Sequence, residues 1–143
     1  MIKKLKVKHS GFVKLLFYDD FPDGNLVIGE AIRNIPFQIK RFYFINYLFN
    51  PKAIRGLHAH KKAKQAIFCI NGSFDLHLDD GHSQQKIRMD DPGVGILLGP
   101  GLWHAMKRFS RDCLILVVAS DYYKESDYIR NYQEFLKYAR SFR

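Results

Sequence analysis

Residues 55–65 read Arg55-Gly56-Leu57-His58-Ala59-His60-Lys61-Lys62-Ala63-Lys64-Gln65, and they place two histidines two positions apart. In an extended strand, residues i and i+2 project from the same face. The spacing therefore predicts that His58 and His60 share one pocket, where neutral imidazoles exchange protons near neutral pH. We interpret the pair as a functional site rather than as two structural histidines in polar, half-buried positions.

Strand-like segments surround this motif on both sides. Alternating or continuous apolar residues predict further strands at 26–32, 39–48, 65–70, 74–79, 86–89, 94–98 and 113–119. Asn71-Gly72 and Asp80-Gly81 are typical hairpin turns. Because no helix-length segment separates the strands, the pattern favours an all-β sandwich or barrel over a parallel α/β fold.

The carboxyl-terminal segment is predicted to be a helix at about 126–141. Ser126, followed by Asp127, is the candidate N-cap. The apolar residues that recur at helical spacing are Tyr128, Tyr132, Phe135, Leu136 and Ala139. We expect this stripe to pack against the barrel rather than to bind a ligand.

Length and composition predict one soluble globular domain over residues 1–143, with 47% hydrophobic and 26% charged residues. The basic run Lys3–Lys8 is not followed by an apolar run long enough for a signal peptide, because His9-Ser10-Gly11 intervenes, so we expect no signal peptide. The most apolar run, 114–119, is too short to cross a bilayer. Cys69 and Cys113 lie in apolar segments and are interpreted as buried thiols in a reducing cytoplasm.

The formal charge of +9 is compatible with nucleic acid, an anionic membrane or a phosphorylated small molecule as partner. The aromatic residues fall at core spacing, and the basic residues are scattered rather than gathered on one element. This distribution argues against nucleic-acid binding and leaves a phosphorylated small molecule as the expected partner.

Several motifs together resemble one known family. They are Asn34-Ile35-Pro36-Phe37, Ile39-Lys40-Arg41-Phe42-Tyr43, Arg55-Gly56-Leu57-His58-Ala59-His60-Lys61-Lys62, Gly99-Pro100-Gly101-Leu102-Trp103, Ala119-Ser120-Asp121-Tyr122-Tyr123 and Asp127-Tyr128-Ile129-Arg130. The chain looks like the dTDP-4-oxo-6-deoxy-glucose 3,4-ketoisomerases over nearly its whole length. The resemblance implies a cupin-type β-barrel or jelly roll with a carboxyl-terminal helix, and a homodimer in which subunits exchange strands.

The resemblance also implies a reaction. The ketone of dTDP-4-oxo-6-deoxy-D-glucose would move from C4 to C3 through an enediolate, giving a precursor of aminodeoxysugars for bacterial surface polysaccharide. Such chemistry needs a base with a pKa near neutrality and a donor that stabilises developing negative charge. Whether the product has the galacto or the gluco configuration at C4 stays open, and no cofactor is expected.

Residues in the motifs match these roles. His58 and His60 supply the base and a proton shuttle, Tyr43 passes protons between sugar oxygens, and Arg55 reaches the same face if Gly56 forms a bulge. Arginine suits phosphate because its planar fork donates two bonds at once. The candidates for substrate binding are Arg33, Lys40, Arg41, Gln65, Trp103 and His104.

Two other functions remain open. One is a metal-dependent cupin that uses His58, His60 and His104. A cupin metal site usually adds a carboxylate about four residues after its His-x-His pair, but here Lys64 and Gln65 occupy those positions. Because positive charge opposes cation binding, we expect no metal. The other alternative is a non-catalytic barrel that binds a nucleotide sugar or nucleic acid.

Overall fold

The structure, a computed structural model, describes residues 4–141 and consists mainly of antiparallel strands. The strands are β1 (Ser10–Lys14), β2 (Leu16–Asp19), β3 (Asn25–Ile28), β4 (Arg41–Ile45), β5 (Arg55–His60), β6 (Gln65–Asn71), β7 (Phe74–Asp79), β8 (Gln84–Met89), β9 (Val94–Leu98), β10 (Trp103–Lys107), β11 (Leu114–Ala119) and β12 (Tyr128–Ile129). One 3₁₀ turn, Glu125–Asp127, precedes β12, and the helix α1 (Tyr132–Arg140) follows it.

Two five-stranded sheets face each other. The first has the order β1-β9-β6-β11-β4, the second has the order β12-β5-β10-β7-β8, and β2 and β3 form a separate two-stranded sheet. From β4 to β12, successive strands alternate between the two sheets except at the β7–β8 hairpin, as in a jelly roll. The predicted all-β, cupin-type architecture is therefore confirmed.

The main core lies between the two sheets. Phe74, Leu76, Ile96 and Ile115 are almost completely buried there, because alternate residues of each strand project inward. Each of these side chains contributes roughly 1.5–3 kcal/mol through removal of apolar surface from water. This apolar packing fills one end of the barrel and leaves the other end to polar side chains.

A β-bulge interrupts the pairing of β5 with β10. His104 pairs with His58, whereas Ala105 pairs with Gly56, so Leu57 is the additional residue. Gly56 has a φ of +84°, and a Cβ at this position would lie 3.0 Å from the carbonyl oxygen of His104. The extra residue places Arg55 on the same side as His58, so the bulge expected at Gly56 is confirmed.

Helix α1 is shorter than predicted. It begins at Tyr132, with Asn131 as its N-cap, because the Asn131 side chain accepts a hydrogen bond from the Glu134 amide. The proposed N-cap at Ser126 was wrong, since Tyr128 and Ile129 instead pair with His60 and Ala59 as β12. Residues 142–143, and residues 1–3 of the basic amino-terminal run, lie outside the described part of the chain.

The apolar stripe of the helix packs as expected. Phe135 and Ala139 are buried against Ala59 and Ile129, with Trp103 packed alongside. The helix thus covers the outer face of the second sheet.

Two predicted strands were too long and four strands were missed, one of them β12, which had been predicted as part of the helix. The segment 26–32 ends as a strand at Ile28, and the segment 39–48 is a strand only from Arg41 to Ile45. Strands β1, β2 and β10 had not been predicted from the sequence. In the described chain, no helix has the length and apolar character to cross a bilayer.

Candidate active site

A cavity of about 370 Å³ opens at the polar end of the barrel. Its polar and aromatic lining consists of Arg41, Tyr43, Arg55, His58, His104, Tyr123, Tyr128 and Arg130. Strands β4, β5 and β10 supply the first five of these side chains, and the segment after β11 supplies the other three. The cavity is large enough for a hexose, and its open side leaves room for attached groups.

Three imidazoles lie together at this cavity. The ring centroids of His58 and His104 are 4.7 Å apart, and those of His58 and His60 are 5.1 Å apart. His60 is 2% exposed and lies behind His58, with its ring 4.4 Å from that of Tyr128. The prediction that His58 and His60 share one strand face is confirmed.

Each imidazole has its Nδ1 atom close to an acceptor. Nδ1 of His58 is 3.1 Å from the Gly56 carbonyl oxygen, and Nδ1 of His104 is 3.2 Å from the Leu102 carbonyl oxygen. Nδ1 of His60 is 3.1 Å from Oδ2 of Asp127. Since carbonyl and carboxylate oxygens only accept, these contacts place the proton on Nδ1 and leave Nε2 with a lone pair.

The imidazoles are held neutral by burial. Desolvation, followed by the neighbouring His60, lowers the pKa of His58 from 6.5 to about 4. Desolvation also lowers the pKa of His60 and, more strongly, that of His104. The Nε2 atoms of His58 and His60 are buried without a hydrogen-bond partner among residues 4–141. Three neutral rings with available lone pairs form a set of potential bases.

Tyr43 has the opposite character. Burial, followed by the nearby Tyr128, raises the pKa of Tyr43 to about 12, so its hydroxyl stays protonated at neutral pH. Gln65 lies two positions before Ile67 on β6, and Ile67 lines the cavity. The Gln65 side chain therefore points to the same interior side, where it is completely buried. Neither polar atom of its amide has a hydrogen-bond partner of good geometry in the described chain, although the amide lies near enough to the Tyr43 hydroxyl to lower the pKa of Tyr43 slightly against the effect of burial. Buried unpaired amides are rare, so Gln65 is a candidate to bind a ligand.

Cationic side chains surround the mouth of the cavity. Arg41 lies between the rings of Tyr43 and Tyr123, with its guanidinium 5.8 Å from each centroid. Arg130 lies 4.3 Å from the Tyr128 ring and binds Glu125 through two hydrogen bonds of 2.7 and 3.0 Å. The Arg130 contact lowers the pKa of Glu125 to about 2. This arrangement suits an anionic ligand that enters from the open side.

Comparison with known proteins agrees with this geometry. The profile of the family described as FdtA, WxcM-like, C-terminal, matches residues 8–140. The chain is 52% identical over 117 residues to the TDP-4-oxo-6-deoxy-alpha-D-glucose-3,4-oxoisomerase of Aneurinibacillus thermoaerophilus, covering 80% of this chain and 82% of that protein.

The chain belongs to this family. The 3,4-ketoisomerase family recognised from the sequence motifs, and the enzyme class isomerase, are thereby confirmed.

Solved structures of family members have the same fold. One is a histidine-to-asparagine mutant of the 3,4-ketoisomerase QdtA from Thermoanaerobacterium thermosaccharolyticum, in complex with TDP-4-keto-6-deoxyglucose. It superposes with a TM-score of 0.91 at 36% identity, covering 94% of this chain and 96% of that chain. Another is the TDP-quinovose 3,4-ketoisomerase WlaRB of Campylobacter jejuni, with a TM-score of 0.85 at 39% identity, covering 92% and 99%.

Three residues predicted to bind substrate lie away from the cavity. Trp103 alternates with His104 on β10, so it faces outward and packs against Tyr132 and Phe135. Lys40 is exposed beside Tyr122, and Arg33 is exposed in the turn after β3. The structure therefore does not support a role in substrate binding for these three residues. It does bring together the other predicted site residues, which are Arg41, Tyr43, Arg55, His58, His60 and His104.

Other residues at the site were not predicted from the sequence. Tyr123, Tyr128 and Arg130 line the cavity, and Asp127 contacts His60. They had been assigned to a helix or only to a family motif. The sequence signal that could have revealed these residues is the polar and aromatic run at 121–130. This run has too many charged residues for a helix that only packs against the barrel.

The same histidines could hold a metal ion. One ring nitrogen each of His58, His60 and His104 lies within 4.8 Å of the other two. Their Nδ1 atoms are held by acceptors, as is common for metal-ligating histidines. Gln65, however, stands at a position where a cupin metal site usually has a carboxylate ligand. In addition, the arginines at the cavity mouth oppose the binding of a cation.

Proposed function

We propose that this family member moves the ketone of TDP-4-oxo-6-deoxy-D-glucose from C4 to C3 through an enediolate. The observation that carries the proposal is that one cavity combines the neutral imidazole of His58, whose Nε2 has no hydrogen-bond partner among the described residues, with a protonated Tyr43. The related oxoisomerase and QdtA are named for, or bound to, such a sugar.

The reaction consists of balanced proton transfers. An Nε2 atom of the His58 and His60 pair takes the proton from C3, and the electron pair of the broken C–H bond forms the C3–C4 double bond of the enediolate. The same proton, or one exchanged with water, returns to C4. Meanwhile the O3 hydroxyl loses a proton and O4 gains one, with Tyr43 donating to O4 and accepting from O3. The imidazoles and Tyr43 end in their starting protonation states.

Two kinds of positive or polar group assist these transfers. Arg55, brought to the cavity by the bulge, lies where it stabilises negative charge on the enediolate. Arg41 and Arg130 at the mouth bind the diphosphate, while the Gln65 amide and His104 contact sugar oxygens. Arg33, Lys40 and Trp103 are left out of this site.

The reaction can be tested directly. Purified protein is incubated with TDP-4-oxo-6-deoxy-D-glucose in D₂O, and the sugar protons are followed by NMR. We expect loss of the starting 4-ketone and appearance of a 3-ketone, and deuterium at C4 reports how far the proton taken from C3 exchanges with water before it is delivered to C4. The coupling constants at C4 then report whether the product is galacto or gluco. An unchanged spectrum with folded protein contradicts the proposed reaction.

The metal-dependent alternative is favoured only by the clustering of the three histidines. Protein treated exhaustively with a chelator is expected to keep its full turnover, because the proposed mechanism uses lone pairs that a metal would occupy. Loss of turnover that one added divalent ion restores would favour the metal-dependent enzyme instead.

We also propose a homodimer. Edge strand β4 carries Phe42 and Phe44, which are 65% and 58% exposed, and the β2–β3 sheet carries exposed Phe17 and Tyr18. Exposed apolar edge strands are usually covered by another chain. Helix α1 packs against the second sheet rather than against these strands. Light scattering at micromolar concentration tests the dimer, and a fully active monomer contradicts it.

The wider context of the enzyme follows from its chemistry. A 3-oxo sugar nucleotide is a substrate for transamination, so we propose that the product is converted to an aminodeoxysugar for surface polysaccharide. Two buried cysteines without a disulfide support a reducing cytoplasm as the compartment.

A further inference from the structure

The segment between β11 and helix α1 supplies three residues of the cavity lining, which are Tyr123, Tyr128 and Arg130. Glu125 lies between them in the sequence but does not line the cavity. The Asp127 carboxylate accepts hydrogen bonds of 2.7 Å from the Lys62 amide and 3.3 Å from the Ala63 amide. These contacts fix the backbone of the segment, but they do not fix the long Arg130 side chain.

Two neighbours of Arg130 hold its guanidinium. Glu125 accepts a hydrogen bond of 2.7 Å from Nε through Oε1 and one of 3.0 Å from Nη2 through Oε2. The Tyr123 hydroxyl donates to the same Oε2 atom. The guanidinium also lies 4.3 Å from the centroid of the Tyr128 ring. Because two parallel hydrogen bonds define the plane of a guanidinium, Glu125 sets the orientation of Arg130 at the cavity mouth.

This orientation leaves part of the guanidinium for a ligand. An arginine has five N–H donors, and the two hydrogen bonds to Glu125 do not involve the Nη1 group. Nη1 therefore stays available to phosphate oxygens. A long side chain without a partner loses rotamer freedom when it binds an anion. Contact with Glu125 reduces this loss, because Arg130 is already held before the ligand arrives.

Stability of the fold does not account for the pair. The side chains of Arg130 and Glu125 are 50% and 58% exposed. Exposed ion pairs contribute little to the free energy of unfolding, since water and salt screen both charges. Removing Glu125 should therefore leave the protein folded, so that an effect on ligand binding can be measured separately.

We propose that Glu125 is a positioning residue for substrate binding: it holds the Arg130 guanidinium at the cavity mouth with Nη1 available to the substrate diphosphate. This inference rests on the proposed contact between Arg130 and the diphosphate, and it does not depend on which histidine is the base. Glu125 also has an opposing effect, because its negative charge repels the diphosphate. Salt screens that repulsion, whereas the positioning effect remains.

A double-mutant cycle with TDP as the ligand tests the proposal. Isothermal titration calorimetry at about 0.5 M NaCl measures the Kd of the wild type, Glu125→Ala, Arg130→Ala and the double variant. We expect Glu125→Ala to raise the Kd about 3- to 10-fold when Arg130 is present and to leave it unchanged in the Arg130→Ala background. In turnover of the proposed substrate, KM should rise similarly with kcat unchanged.

The matched control is Glu134→Ala. Glu134 is an exposed glutamate on the following helix and does not line the cavity, so this variant should bind TDP like the wild type. Thermal unfolding of Glu125→Ala should lie within about 2 °C of the wild type. A clearly lower unfolding temperature would make Glu125 a structural residue and would overturn the inference.

Three binding results also contradict it. An unchanged Kd in Glu125→Ala shows that Arg130 needs no partner, and a lower Kd shows that Glu125 competes with the diphosphate. An equal rise in both backgrounds shows that Glu125 does not act through Arg130. Because TDP binding is measured without turnover, an unchanged NMR spectrum with TDP-4-oxo-6-deoxy-D-glucose contradicts the proposed reaction and leaves this inference standing.

Discussion

The two ends of the barrel interior are built from the same strands but have opposite properties. At the apolar end, Phe74, Leu76 and Ile115 fill the space between the sheets with no polar atom to satisfy. At the polar end, the amide of Gln65 and the Nε2 atoms of His58 and His60 are buried without partners among the described residues. Each such atom costs roughly 1–3 kcal/mol of stability. Buried polar atoms without partners are expected where a bound ligand supplies the missing hydrogen bonds. The apolar end therefore stabilises the fold, whereas the polar end binds and converts the ligand.

The largest effect is expected when the bases of the polar end are removed. Asparagine at position 58 or 60 keeps polarity but cannot take a proton at neutral pH, so His58→Asn and His60→Asn should each lower turnover by about 10²- to 10⁴-fold. Thermal unfolding should be little changed. The control is His77→Asn, because His77 faces outward on β7, away from the cavity. Wild-type turnover in either site variant would make that histidine structural.

The apolar end should show the reverse behaviour. Phe74→Ala leaves a void between the sheets and should lower the free energy of unfolding by about 3–5 kcal/mol. The folded fraction should keep wild-type kcat and KM, because Phe74 is not among the residues that line the cavity. Urea unfolding and kinetics at a temperature where the variant is folded check both statements. A large loss of kcat in fully folded protein contradicts the separation of the two ends.

The buried imidazoles should make stability depend on pH. Between pH 4 and 6.5 the unfolded chain binds protons at His58 that the folded chain does not, because burial lowers the pKa of His58 to about 4. Stability should therefore rise with pH across this window, by up to about 1.4 kcal/mol per pH unit for each such histidine. His58→Asn should have a smaller slope in urea unfolding measured from pH 4 to 7. An equal slope in both proteins would show that His58 titrates normally.

Arginine at the cavity mouth should affect binding more than turnover. Arg41→Ala removes a charged contact to the substrate diphosphate, so KM should rise by about 10- to 100-fold while kcat changes little. Arg33→Ala is the matched control, because Arg33 is exposed away from the cavity, and its kinetics should equal those of the wild type. A selective fall in kcat for Arg41→Ala would place Arg41 at the reacting sugar instead.

The smallest effect is expected at Gln65, with opposite signs for stability and activity. Gln65→Leu keeps the approximate volume and removes two unpaired polar atoms, so the free energy of unfolding should rise by about 1–2 kcal/mol. The same change should lower kcat/KM, since the amide no longer contacts the sugar. A variant that is less stable would show that the amide has a structural partner, such as the neighbouring Tyr43 hydroxyl.

The sequence by itself determined the class of fold and the centre of the site. The period of two in the strands and the hairpin turns at Asn71-Gly72 and Asp80-Gly81 predict a barrel, because side-chain direction in a strand depends only on local geometry. The same rule put His58 and His60 on one face, and the family motifs indicated a ketoisomerase.

Only the tertiary structure decided how distant segments meet at the cavity. The sequence indicates neither that Tyr128 pairs with His60 nor that Asp127 contacts the His60 ring, since these contacts span more than sixty positions. Likewise, Trp103 and His104 are adjacent on β10, so their side chains lie on opposite faces of the sheet. Which of the two faces the cavity depends on which face of the sheet the helix covers. Local sequence fixes the direction of neighbouring side chains relative to one another, whereas burial, pairing register and the pKa of each imidazole depend on which strands pack together.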